Sequence, residues 1–304
     1  MQSGKERVLI TGGLGQIGYY SYLQLEKNYQ ICILDNMSNA KVSPPEDTLF
    51  IKGDIKDKEI YSSLPEIDYI IHCAAQISPE KSVEKPICDA NVNILGTLQL
   101  LEYARKKDIN KFLLLSSAAT YGNPQFLPIT EKHPRNPLSP YGISKLVAEK
   151  YTLLYADLYN LDTTVLLPFN VYSDLQNEDD PYAGVIFKFI KAIKNNEPPV
   201  IQGDGNQTRD FIHVKDVTRA IELALKRKGI SKTINIGSGE PISILELANI
   251  LIKFSKKELE PVFTESREGD IRESYTSTKT ATSELSFTPK IKLEKGLQEL
   301  YNQI

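Results

Sequence analysis

Three cysteines, Cys32, Cys73 and Cys88, are all the sequence contains, and their spacing shows neither a metal-type pair nor a disulfide framework. No zinc site is expected, nor any other metal. Odd, unpaired thiols fit a reducing compartment, so a cytoplasmic protein is expected. No apolar stretch approaches the ~20 residues that a membrane-spanning helix requires, and the short run before Gly12-Gly13 is too brief for a signal peptide. Neither sign of charge dominates: Lys+Arg number 36 against 39 Asp+Glu, a formal charge of −3. That balance gives no footprint for nucleic acid or for a membrane surface, and an anionic ligand must be met by local cations or helix ends. Internal repeats and low-complexity tracts are also missing. What remains is a chain of 304 residues with 41% hydrophobic content, enough for one large or two medium domains around a real core.

The apolar run Val8-Leu9-Ile10-Thr11 ends abruptly in glycines, as a buried parallel strand does. Gly12-Gly13-Leu14-Gly15-Gln16-Ile17-Gly18 then leads into a periodic segment. A tight turn, a close backbone approach and a helix N-terminus make a seat for a pyrophosphate. The second strand, Ile31 to Leu34, ends in Asp35, twenty residues beyond Gly15. A carboxylate there accepts from an adenosine ribose and repels a 2′-phosphate, which favours NAD over NADP. Strands at 48–51 and 69–73 lead into Gly53-Asp54-Ile55 and Ala74-Ala75-Gln76, where small residues let a flat ligand lie against the backbone. Asp54 suits either an adenine amino group or the cap of the following turn. His72, inside an apolar strand, reads as a satisfied core histidine. Asn93 to Thr97 opens a helical period.

The fifth strand, Phe112 to Leu115, delivers Ser116-Ser117-Ala118-Ala119 at its carboxyl end, the ligand side of an open parallel sheet. Ser139-Pro140 reads as an N-cap followed by a first-turn proline. The helix they open carries Tyr141 and Lys145, four residues apart and so on one face, where an ammonium can lower the pKa of a phenol. Alone, that spacing is equally an accident of an amphipathic helix. After a sixth strand at 165–167 the texture changes, and the acidic stretch from Asp174 to Pro181 marks the entry to a second, smaller lobe. Within it Ser243 and Glu246 read as a capping box.

Taken together, Thr11 to Gly18, Leu34-Asp35-Asn36, Gly53-Asp54, His72 to Ala75, Asn93 to Thr97, Ser116 to Gly122 and Tyr141-x-x-x-Lys145 resemble the extended short-chain dehydrogenase/reductase superfamily. Phe169-Asn170-Val171-Tyr172, Gly203 to Ile212, Asn235-Ile236-Gly237 and Arg267-Glu268-Gly269-Asp270 resemble its nucleotide-sugar epimerase/dehydratase branch, so that nearly the whole chain is covered. The resemblance implies an α/β fold: a Rossmann doubly wound parallel sheet over residues 1–172, rejoined by 217–237, with a mixed α/β lobe for the nucleotide sugar from 173–216 and 238–304. It implies NAD held by Gly12, Gly15, Gln16, Ile17, Gly18, Asp35, Asn36, Asp54, Ile55, Ala74, Ala75, Gln76, Asn93, Tyr141 and Lys145. Tyr141 is then the acid/base, Lys145 holds the nicotinamide ribose and depresses the phenol's pKa, and Ser117 hydrogen-bonds the reacting hydroxyl. Asn170, Arg209 and Arg267 would grip the diphosphate and Asp270 the nucleoside ribose.

Dehydratases of this branch carry Asp-Glu just after the catalytic serine or threonine, where this chain has Ala118 and Ala119. Elimination therefore lacks its acid and base, and 4-epimerisation of a UDP-sugar remains. Ser274 stands where relatives that admit only a 2-hydroxyl place a bulky tyrosine, so both UDP-glucose/UDP-galactose and the 2-acetamido pair UDP-GlcNAc/UDP-GalNAc stay open. A 4-keto reductase on the same scaffold and a non-catalytic dinucleotide sensor are the alternatives. Several positions depart from the family: Gln16 for an aromatic, Leu167 and Leu175 for arginines, Ser173-Asp174 for Gly-Pro and His213 for tyrosine. The resemblance further implies a homodimer paired through the helices that begin near Asn93 and Tyr141.

Overall fold

A computed structural model describes residues 4–176, 184–266 and 271–304. Arg7–Thr11 (β1), Gln30–Asp35 (β2), Leu49–Lys52 (β3) and Tyr69–His72 (β4) form the first half of a parallel sheet, with Gln16–Leu25 (α1) between the first two strands. Pro79–Glu84 (α2) and Pro86–Ala90 (α3) follow, then a wide helical turn over Asn91–Gly96 and Thr97–Lys106 (α4). The helical path expected to open at Asn93 thus starts earlier, because Pro86 occupies the first helical position, where its missing N–H costs nothing. Lys111–Leu115 (β5), Pro140–Tyr159 (α5) and Thr163–Pro168 (β6) continue the alternation.

Beyond it come Asn170–Tyr172 (β7), Val185–Lys194 (α6), Val200–Gln202 (β8), Thr208–His213 (β9), Val214–Lys226 (α7) and Thr233–Ile236 (β10). The last section holds Pro241–Ser243 (β11), Ile244–Ser255 (α8), Val262–Thr264 (β12), Glu273–Ser274 (β13), Lys279–Leu285 (α9) and Leu293–Gln303 (α10).

The main sheet has seven parallel strands in the order β10-β6-β5-β4-β1-β2-β3. Strand order reverses between β1 and β4, which opens a ligand crevice at their carboxyl ends. Both faces are covered, and the strand period of two shows in β1: Val8 and Ile10 face the core shared with α1 and α7, whereas Leu9 faces the one shared with α4 and α5. This is the Rossmann arrangement. A second group packs β7, β9, β11 and β13 with α6, α8 and α10 around Phe189, Ile190, Leu247 and Leu297. The 238–304 stretch is not uniform, however. Ala281, Leu285 and Phe287 belong to the core on the α7 face of the main sheet, because α9 lies against β10 and α7, so this segment packs with the main sheet and not with the second group. No helix among the described residues is long and apolar enough to cross a membrane.

Candidate active site

Gly12 ends β1 with φ +67°, and a Cβ there would lie 2.7 Å from the Ala74 backbone. Only glycine allows the turn after β1 to pass so close to the turn after β4. Gly15 precedes α1, which opens with neither a side-chain cap nor an acidic residue in its first turn. The amides at that end and the positive end of the helix dipole form an uncrowded anion seat. This fits the pyrophosphate of a dinucleotide. Asp35 is nearly buried, and its carboxylate accepts from Leu14 N at 3.0 Å and Met37 N at 2.7 Å. It therefore braces the glycine turn while retaining lone pairs toward the crevice. Asn36 donates to Asp54 Oδ2 at 3.1 Å, and Asp54 Oδ1 accepts from Lys56 N at 2.9 Å. Asp54 thus closes a local turn at Lys56 and braces Asn36, whereas the helical turn at Lys58–Ser62 is capped by Asp57 and not by Asp54. Ile55 is buried beneath them.

His72 is the core histidine that its strand suggested: its ring bonds Thr11 Oγ1 at 2.7 Å and Thr97 Oγ1 at 2.9 Å. Burial pulls its pKa down to about 3, so it stays neutral. Asn93 is also buried. It accepts from Gln76 N at 2.9 Å and donates toward Gln76 O, Asp89 Oδ1 and Ser144 Oγ at 3.0–3.1 Å. Its amide thus ties the Ala74-Ala75-Gln76 turn to α5 and shapes the crevice through that turn. Asp89 and Ser144 carry no signal in the sequence for this role.

Ser139 caps α5 by accepting from Gly142 N at 3.2 Å, and Tyr141 N donates to Ser82 Oγ of α2 at 3.0 Å. Tyr141 and Lys145 share the buried face of α5. Burial raises the Tyr141 pKa, a hydrogen bond with Ser117 opposes the rise, and Asp89 adds to it. Lys145 Nζ donates to Leu115 O at 2.6 Å, back toward the sheet. Its own pKa is pulled down to about 8, chiefly by burial and against the pull of Glu149. Ser117 Oγ accepts from Ala119 N at 3.2 Å, which sets the serine at the head of a short turn directly after β5. Ala118 and Ala119 present no carboxylate there.

A cavity of about 720 Å³ lies between β7, β9 and the α6–α8 pair, with Asn170, Arg209, Gln176 and Gln207 in its wall. Asn170 Nδ2 donates to Asp210 O at 2.9 Å, and Arg209 Nη1 donates to Ile271 O at 2.6 Å. Ser274 stands opposite Arg209 in the β9–β13 pairing. Glu80 of α2 reaches the cavity wall while Ser82 of the same helix holds the Tyr141 amide, so α2 links the cavity wall to the start of α5. Arg267 and Asp270 lie outside the described residues. The departures at Gln16 and Ser173 meet each other: Gln16 Nε2 donates to Ser173 Oγ at 2.9 Å, and Tyr20 donates to Asp174 at 2.6 Å. His213 caps α7 by accepting from Lys215 N at 3.1 Å. Leu167 is fully buried in the sheet core. No cluster of metal-ligating side chains occurs among the described residues.

The model of the NAD dependent epimerase/dehydratase family matches residues 8–237. The chain belongs to that family. NAD is its cofactor, and the glycine turn, Asp35 and the bare end of α1 fit it. A Methanocaldococcus jannaschii protein named as a candidate UDP-glucose 4-epimerase is 40% identical over 302 residues, covering 97% of each chain. The UDP-N-acetylglucosamine 4-epimerase of Methanobrevibacter ruminantium, solved with UDP-N-acetylmuramic acid, superposes with a TM-score of 0.93 at 34% identity over 98% of both chains. The UDP-glucose 4-epimerase of Thermotoga maritima, solved with UDP-glucose, gives 0.92 at 36% identity over 97% of both.

Proposed function

We propose that this family member is a nucleotide-sugar 4-epimerase that interconverts UDP-hexoses at C4, the 2-hydroxy and 2-acetamido pairs both included. One observation supports the reading: Ser117, after the carboxyl end of β5, is hydrogen-bonded with Tyr141, Lys145 shares the buried face of α5 with that tyrosine, a cavity has Asn170 and Arg209 in its wall, and Ala118-Ala119 supply no acid pair. Bound NAD supplies a reversible hydride acceptor. Tyr141 takes the C4 hydroxyl proton and later returns it, Ser117 orients that hydroxyl, and Lys145 contributes positive charge beneath the phenol. Arg209, with Arg267, meets the diphosphate through forked donors, Asn170 adds an amide, and Asp270 takes the nucleoside ribose.

The test incubates the purified chain with UDP-glucose and with UDP-N-acetylglucosamine without added cofactor and resolves product stereochemistry. Inversion at C4 is expected for both, and a stoichiometric demand for NADH would replace the reading with a reductase. In the same assay Ser274→Tyr should retain UDP-glucose turnover and lose about tenfold or more on the acetamido sugar, by steric exclusion. Equal loss on both would remove Ser274 from the specificity argument.

We also propose a homodimer. Ile143, Tyr151, Leu154 and Leu158 expose an apolar stripe along α5, with Leu95 exposed just before the neighbouring α4. A second copy would bury the stripe against its own. Light scattering should give twice the chain mass for the wild type and the single mass for Leu154→Glu/Leu158→Glu; a monomeric wild type ends this proposal.

A further inference from the structure

Glu149 lies one turn of α5 beyond Lys145 and two beyond Tyr141, and is only 2% exposed. A buried carboxylate is costly unless its surroundings compensate it. Here Oε1 accepts the Ser116 hydroxyl at 2.5 Å, and Oε2 faces Arg135 Nη1 at 3.5 Å. Arg135 stacks over the Tyr121 ring at 3.9 Å and donates to Thr120 Oγ1 at 2.5 Å. Thr120 in turn donates to Ser117 O at 3.0 Å. The Glu149–Arg135 pair therefore grips the chain on both sides of Ser117. Lys145 holds Leu115, the residue just before Ser116, through its carbonyl.

We propose that Glu149, with Arg135 as its counter-ion, is a positioning residue that acts on the Lys145 side chain one helical turn away and fixes Ser117 against Tyr141. The inference rests on the catalytic set proposed above. The groups that bear on Lys145 are Glu149 on its own helix, Cys73 after β4, Asp89 of α3 and the neutral His72. Glu149 is the strongest of those that favour the charge, and burial holds the Cys73 thiol protonated, up to about 12. Glu149 is itself faced by Arg135, Ser116, Lys145 and Lys150, all of which favour its ionised form against the desolvation that raises its pKa. Without Glu149, burial acts on Lys145 with less to oppose it, and the ammonium is lost at lower pH.

Glu149→Gln keeps the volume and an acceptor for Ser116 and removes only the charge. Two readouts apply to it: turnover of UDP-glucose against pH, and titration of the Lys145 side-chain nitrogen by NMR in the full chain, which needs no substrate. The pH above which turnover falls should move down by about one unit, giving about fivefold loss at pH 8 and little at pH 6, and the lysine midpoint should move with it. Arg135→Gln should shift both in the same direction, and Glu149→Asp should restore most of the shift. A folded Glu149→Gln protein with both midpoints unmoved overturns the proposal, and Arg135→Gln carries the same test if Glu149→Gln fails to fold. Absence of turnover in the wild type refutes the epimerase reading, while the lysine titration still decides the role of Glu149.

Discussion

Tyr141→Phe should lower turnover by about 10²- to 10⁴-fold, the usual worth of a positioned acid/base, with fold and NAD content unchanged. The substitution removes one oxygen from a packed ring. The helix start is indifferent to it, because the cap comes from Ser139 Oγ and the tie to α2 runs from the Tyr141 backbone amide to Ser82. Burial by itself raises the phenol's pKa, so the chain holds Tyr141 as an un-ionised acid that gives up its proton only when positive charge and substrate complete the site. Lys145, pulled down to about 8, supplies part of that charge near neutral pH. The loss should therefore fall on kcat, with KM changed little, since the phenol acts on the reacting hydroxyl and the diphosphate grip is remote from it. NAD released from the denatured variant and quantified against protein separates lost chemistry from lost cofactor. Full turnover in Tyr141→Phe would remove the mechanism.

Features that depend on neighbours in sequence were legible in advance. The Ser139 and Ser243 caps, the glycine turn after β1 and the core role of His72 follow from local backbone chemistry or from a polar residue in an apolar strand. Features made by distant partners were not. Gln16 meets Ser173 across 157 positions, and Asn93 meets Ser144 across 51. No local pattern records such a pairing. The same holds for Lys145: helical spacing places it on the face of Tyr141, but the direction of its amine is decided by the Leu115 carbonyl, on a strand 30 residues earlier. Glu149 continues the i, i+4 series of Tyr141 and Lys145, so its face could be read, whereas the need for a charge there emerges only from burial. The placement of α9 on the main sheet is similar, since a short helix with few apolar residues shows no preference for one lobe until β10 and α7 are in position beside it.

Gly18→Ala should abolish detectable NAD binding and destabilise the chain by about 1–3 kcal/mol, the ordinary cost of overpacking. A Cβ at Gly18 would press into the carbonyl oxygen of Gly12 and lie 2.8 Å from Gly12 C and Gly13 Cα. All three are backbone atoms of the turn itself, so no side chain can rotate away. Either α1 must retreat or the turn must open. The turn cannot open freely, because Gly12 already sits at φ +67° with the Ala74 backbone 2.7 Å from where its own Cβ would be. Retreat of α1 would withdraw the helix end from the pyrophosphate seat and strain the Gln16–Ser173 and Tyr20–Asp174 bonds that tie α1 to the entrance of the lobe. Gly15→Ala is the discriminating companion. Its Cβ would meet only Gly12 O at 3.4 Å, an ordinary contact, and its φ of −82° suits any residue. That variant should keep wild-type stability in denaturant while NAD titration shows weaker binding, because the methyl occupies the space that the phosphates approach. Stability and cofactor affinity would then separate across two glycines three residues apart. A Gly18→Ala chain that binds NAD like the wild type would show that α1 is not held against the turn as described.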